Sequence, residues 1–293
     1  MSGPGAPERG GDHLIRTARP ADIPALRAIF RANGGDGDPV AGGADVVGPY
    51  LAHLVTHHRV LVTEEDGGVV AFGAAVDTGR LRMLADLFVL PDRLGRGLGR
   101  PLLAALYGEA TVRATFSSDD PRALPLYTRA GMAPLWINLY VEGPVAALPA
   151  VSPSLRTRTI DASEASALEA AWTGVARPVD HAFWASQADA DAFAVETSGR
   201  TAGIGYARAR QRSTARAMDR LVIAPDADPF PVALAALARA GRSGTVETCV
   251  LGPNPLLRVL LDAGFRVNDH DQLHLSDPAL VDPLRLLPNP GML

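Results

Sequence analysis

The stretch from Leu84 to Ala110, LADLFVLPDRLGRGLGRPLLAALYGEA, constrains this chain more than any other. Leu87, Phe88, Val89 and Leu90 form a short apolar run stopped by Pro91, the pattern of a strand buried on both faces. Leu102, Leu103, Leu106 and Tyr107 then recur at helical spacing. Between them Gly95, Gly97 and Gly99 carry no Cβ, so successive backbone N–H groups can turn inward and approach a ligand closely. These donors stand at the N-terminus of the expected helix, where the macrodipole favours an anion. Arg93, Arg96 and Arg100 add positive charge. A strand, a glycine turn and a helix with this chemistry read as a pyrophosphate cradle.

What is missing narrows the kind of cradle. No Lys-Ser or Lys-Thr follows the glycines, and the chain contains no lysine at all, which excludes a nucleotide-hydrolysing P-loop. The spacing Gly95-x-Gly97-x-Gly99 also fails the dinucleotide fingerprint. A second segment runs Asp120-Pro-Arg-Ala123-Leu-Pro-Leu126-Tyr127-Thr-Arg-Ala-Gly131-Met132. Together the two segments resemble the signatures of the GNAT superfamily of acyl-CoA-dependent N-acyltransferases. One signature is a strand ending V-x-P followed by Q/R-x-x-G-x-G/A at a helix start. The other is N-x-x-A-x-x-L-Y-x-x-x-G-F/M. Val89-Leu90-Pro91, Gly97 and Gly99 match the first, while Leu94 stands where the family has Gln or Arg. Asp120 replaces the usual Asn; either residue can cap a helix starting at Pro121.

The resemblance covers most of residues 13–143. It implies an α/β (α+β) fold with a mixed, mostly antiparallel sheet flanked by helices. It also implies acetyl-CoA as co-substrate, held by the strand end Phe88, Val89 and Leu90 and by the turn Leu94, Gly95, Arg96, Gly97, Leu98, Gly99 and Arg100, with Asp120 nearby.

Residues 143–155 are rich in proline and small residues without periodicity, so a linker is expected at 144–155. Beyond it the chain echoes itself. Arg158-Thr159 with Leu168 repeats Arg16-Thr17 with Leu26, and Leu221-Val-Ile-Ala-Pro225-Asp226 repeats Leu87-Phe-Val-Leu-Pro91-Asp92. Leu234-Ala-Ala-Leu237 repeats Leu103-Ala-Ala-Leu106, and Ala263-Gly264-Phe265 repeats Ala130-Gly131-Met132. Residues 156–293 therefore read as a second, degenerate GNAT-like domain. Its turn, Asp226-Ala-Asp228-Pro229-Phe-Pro231, has lost N–H donors to proline, and its aspartates would repel a pyrophosphate. Leu260 stands in the place of Tyr127.

A net charge of −4 without basic runs argues against nucleic acid as a partner. One cysteine, Cys249, excludes an internal disulfide. Residues 1–12 read as a disordered tail and no apolar run reaches membrane-spanning length, so no membrane association and a cytoplasmic location are expected. A homodimer is compatible with the tandem plan.

For the chemistry, the resemblance puts Tyr127 where the family's general acid sits and makes the Val89 N–H the natural oxyanion donor. A general base must take a proton from an ammonium of pKa about 10.4, which costs about 4 kcal/mol near pH 7.4. Asp86 on the central strand is the first candidate, ahead of Glu64, Asp119 and Asp120. Ser117 and Ser118 are placed to line an acceptor pocket or to cap a loop. Asp36, Asp38 and Asp45 would steer a small cationic amine. His53 and His57 have i, i+4 metal-ligand spacing, but no third ligand follows from the sequence, so no metal is expected; His270 and His274 read as one strand face. The reading is an N-acetyltransferase acting on a small-molecule primary amine, with a non-catalytic acyl-CoA-binding or regulatory module as the alternative.

Overall fold

A computed structural model describes residues 9–10, 13–34, 47–118, 120–210, 214–242 and 244–293. The tail read as disordered lies outside these residues except for β1 (Arg9–Gly10), which pairs with β2 (His13–Thr17). Next come α1 (Ile23–Ala32), α2 (Val47–His57), and the strands β3 (Arg59–Glu65), β4 (Gly68–Asp77) and β5 (Arg82–Val89). Helix α3 (Gly99–Tyr107), β6 (Arg113–Ser117), α4 (Ala123–Arg129) and β7 (Ala133–Pro144) complete the first half.

The second half repeats this order. It runs β8 (Leu155–Thr159), α5 (Ala162–Thr173), α6 (Pro178–Ala185), β9 (Asp191–Thr197), β10 (Arg200–Ala209) and β11 (Arg216–Ile223). Then follow α7 (Pro229–Gly241), β12 (Thr245–Leu251), α8 (Leu256–Asp262), β13 (Arg266–Leu275) and the added β14 (Leu286–Leu287). The repeat extends to polar detail. Arg16 binds Asp22 and Glu64 as Arg158 binds Glu164 and Glu196, and the Thr115 and Thr248 hydroxyls donate to Leu84 and Met218 carbonyls.

The two halves interlock. One continuous sheet has the order β1-β2-β3-β4-β5-β6-β13-β7-β12-β11-β10-β9-β8. Strand β13 pairs with β6, and β7 pairs with β12, so each half lends its last strand to the other. All pairings are antiparallel except β5/β6 and β11/β12. Exchange of equivalent elements covers edges that two separate sheets would leave unpaired. The apolar core is likewise shared: Leu51, Phe72 and Met83 belong to one cluster with Ile160, Trp184 and Tyr206.

A buried polar network holds the second half. Glu169 receives Arg220 in two bonds of 2.7 and 2.8 Å, His181 Nε2 lies 3.0 Å from it, and Arg177 and Arg220 both lie over Trp184. Burial alone raises the Glu169 carboxyl, but the Arg220 charge, the His181 and Arg220 hydrogen bonds and Arg177 outweigh it and hold the group well below the usual carboxylate range. The stability this confers is present above the unfolded value near 4.3 and is lost as pH falls through the lower folded value. Glu169→Gln leaves two buried guanidinium groups under-compensated and is expected to cost about 3–5 kcal/mol in denaturant unfolding at pH 7, with a smaller difference below about pH 4. A loss under about 1 kcal/mol at pH 7 would show that the network contributes nothing beyond packing.

Candidate active site

Helix α3 is aimed by its apolar side. Leu102, Leu103, Leu106 and Tyr107 are buried against the sheet, each worth about 1.5–3 kcal/mol of transfer. Gly73 in β4 permits the close approach, since a Cβ there would stand 2.4 Å from the Leu106 Cδ1. The helix N-terminus has no side-chain cap, so its leading N–H groups remain available. The turn before it has Gly95 at φ +80° and Gly97 at φ +82°, conformations that L side chains rarely adopt, and nothing lies within 4 Å of where their Cβ atoms would be.

Beside this turn the sheet opens. The parallel β5/β6 pairing runs from Arg82↔Arg113 to Leu84↔Thr115 and stops, while β5 continues against β4 to Val89. The Leu90 N–H donates to Val70 on the β4 side at 2.9 Å. Backbone groups alternate along a strand, so the Val89 N–H and C=O face the gap; the Val89 carbonyl accepts from Asn33 there at 3.1 Å. The gap and the turn form one cavity of about 790 Å³, within the range of small-molecule sites.

Phe88, Val89, Leu94, Gly95, Gly97, Leu98, Gly99, Arg100, Asp120 and Tyr127 all line this cavity. Leu90 and Arg96 do not. Leu90 is tied back to β4, and the Arg96 guanidinium reaches within 4.0 Å of Glu65, which also pairs with Arg93 at 3.1 Å. The cavity's cations are instead Arg93, Arg100, Arg113, Arg122 and Arg129. Asp120 does not cap a helix at Pro121. Helix α4 starts at Ala123, and Asp120 accepts the Arg122 N–H at 2.8 Å while binding its guanidinium. Asp36, Asp38, Asp45 and Asp119 lie outside the described residues.

Tyr127 is buried; burial raises its pKa to about 12, partly offset by Thr115 and reinforced by the Asp120 and Asp86 charges. Asp86 sits behind the cavity wall on β5, where Tyr50 donates to it at 2.9 Å. Burial, partly offset by that bond, raises its pKa to about 7. Ser118 lines the cavity, but Ser117 is buried 3.0 Å from His274 Nε2. His274 was legible only as a strand residue; the exchange of β13 brings it against Tyr127, ring centroids 5.4 Å apart, with its Nδ1 unpartnered among the described residues. No local sequence signal marks a neighbour created by so distant a pairing.

Residues 56–131 match the family model described as an acetyltransferase (GNAT) domain. That segment is a GNAT domain. Among solved structures, a putative acetyltransferase from Pyrococcus horikoshii superposes with a TM-score of 0.71 at 15% identity, over 98% of this chain and 96% of that one. A tandem GNAT protein from the clavulanic acid biosynthesis pathway gives a TM-score of 0.59 at 15% identity, over 91% and 99%. A GCN5-related N-acetyltransferase from Sphaerobacter thermophilus gives 0.56 at 16%, over 94% and 97%. A search of curated proteins finds no match. The tandem GNAT fold therefore extends over both halves.

The second GNAT-like half closes the features that the first leaves open. Its parallel β11/β12 pairing also stops early, at Met218↔Thr248, but β14 fills the gap by pairing Leu287 and Leu286 with Leu221 and Val222. Asp228 caps α7, accepting the Phe230 N–H at 3.2 Å, with Pro229 as the first helical residue. A carboxylate thus occupies the position where the first half offers free donors. Among the described residues no helix is long and apolar enough to cross a membrane.

Proposed function

We propose that the first GNAT domain transfers an acetyl group from acetyl-CoA to a small primary amine by direct attack in a ternary complex. The observation that carries this reading is the parting of β5 and β6 beside an uncapped helix N-terminus, with Tyr127 in the wall. The diphosphate would lie on the glycine turn and the pantetheine arm along Leu87 to Val89. The amine would arrive past Tyr50, the donor to Asp86, which lines a smaller cavity of about 160 Å³ with Phe30 and Asp219.

In this scheme the amine nitrogen attacks the thioester carbon and the Val89 N–H receives the developing oxyanion. Asp86 takes the amine proton, its pKa of about 7 being matched to neutral pH. The C–S bond breaks and Tyr127 protonates the leaving sulfur, recovering its proton through solvent.

Asp86→Asn tests the base. Wild-type kcat/KM is expected to rise with pH through about 7, and the variant to lose that limb with about a 10²–10⁴-fold drop at its top. Stability should move oppositely. Because the folded pKa stands above the unfolded value near 3.9, the aspartate destabilises the fold progressively as pH rises from about 4 to 7. Asn keeps the Tyr50 acceptor without the charge, so the variant should melt higher than wild type at pH 8 and alike at pH 4. An unchanged pH–rate profile would remove Asp86 from the mechanism.

A further inference from the structure

Three of the chain's seven histidines, His53, His57 and His58, fall within six residues at the end of α2. The sequence offers them no further ligand nearby. The fold supplies one from the other half: Asp180 of α6. His53 Nε2 lies 3.0 Å and His58 Nε2 2.8 Å from the same oxygen, Asp180 Oδ1, and the two nitrogens are 3.2 Å from each other. All three side chains are nearly buried.

Two readings of this triangle are possible in principle. In one, both imidazoles are neutral and donate Nε2–H to a single carboxylate oxygen. That arrangement crowds two N–H dipoles of the same sense, since the nitrogens are about as close to each other as to the acceptor. In the other, three lone pairs converge on a cation. Tetrahedral zinc with bonds of about 2.0–2.1 Å places its ligand atoms about 3.3 Å apart, close to all three edges seen here. The donor set, two imidazoles and a carboxylate, suits a borderline cation such as zinc and leaves one position for water.

The surroundings fit the second reading. Arg177 Nε binds the other carboxylate oxygen of Asp180 at 2.9 Å and fixes its orientation, as an outer-shell partner does. Phe183 stacks on the His53 ring at 4.4 Å and covers its apolar face. His53 also borders an open groove with Thr56, His57, Val179 and Phe183, which brings solvent to one of the three ligands.

We infer that His53, His58 and Asp180 form a zinc-binding site that clamps α2 of the first GNAT domain to α6 of the second. The site is independent of the acetyl-transfer reading, because none of its ligands lines the cofactor cavity. Its role is structural: two ligands from one half and one from the other make metal affinity contribute to holding the halves together.

The test is metal titration of the full chain after chelation and dialysis. One Co²⁺ per chain should bind with the intense visible d–d absorption of a four-coordinate ion, and one Zn²⁺ should displace it. Zinc at 100–1,000 times its dissociation constant should raise the melting temperature by roughly 4–7 °C. His58→Gln and Asp180→Asn should each lose the cobalt spectrum and the thermal shift, although Asn can still accept a hydrogen bond. If stripped wild type takes up neither ion, or gains no stability from zinc, the triangle is a hydrogen-bonded clamp and the inference fails. It fails equally if both folded variants bind cobalt as wild type does. Should neither variant fold, the wild-type titration alone decides.

Discussion

Gly97→Asp is expected to abolish acetyl-CoA binding while leaving the chain folded. Gly97 has φ +82°, which costs an L residue about 1–2 kcal/mol, but a Cβ there meets no atom within 4 Å. The backbone penalty is therefore tolerable. The new carboxylate, however, would stand beside the free N–H groups of α3 where the diphosphate is expected, replacing attraction by repulsion and competing for the same donors. Calorimetric titration should give one acetyl-CoA per wild-type chain and an affinity at least about 100-fold weaker in the variant. The stoichiometry matters as much as the loss. Asp228 and β14 already occupy the equivalent positions in the second half, so two sites per chain would contradict the assignment of a single cradle.

Tyr127→Phe is expected to lower kcat by about 10²–10⁴-fold, roughly 3–5 kcal/mol of barrier, with acetyl-CoA affinity little changed. A thiolate leaving group of pKa near 8.5 needs a donor still protonated at neutral pH. Tyr127, raised to about 12, qualifies, but complete proton transfer to that thiolate would be uphill by about 5 kcal/mol. Its contribution is thus greatest as a hydrogen-bond donor to sulfur as charge develops, with transfer completed as CoA departs. The phenyl ring retains contact with His274, and losing the hydroxyl's interaction with Thr115 costs only about 1 kcal/mol, so the melting temperature should fall by no more than a few degrees. Steady-state kinetics beside a cofactor titration separates the roles. Turnover near wild type would return Tyr127 to a packing role against His274 and Thr115.

What could be read from the sequence follows the range of the interactions involved. The strand–turn–helix order and its echo in the second half were legible because periodicity is local, as in the apolar face of α3 and the glycine turn before it. The loss of N–H donors at Pro229 was legible for the same reason. Strand exchange was not, because β7 and β13 carry no residue that states which β6-like neighbour they choose. From that one non-local fact come the position of His274 and the continuous sheet. The filling of the second cleft by β14 and the meeting of His53 and His58 with Asp180 are likewise long-range. The Asp120 cap shifted for a local reason: Arg122 offers both its N–H and its guanidinium, and the resulting turn delays the helix to Ala123.

The measurement that bears most directly on the central claim is release of CoA thiol from acetyl-CoA by the purified chain across a panel of polyamines, aminoglycosides, basic amino acids and neutral amines. The account predicts release that requires an amine, yields the N-acetylated product in equal amount, and disappears in Gly97→Asp. Stoichiometric acetyl-CoA binding with no amine-dependent thiol release from any member of the panel would contradict it, and would leave the first GNAT domain as a cofactor-binding module.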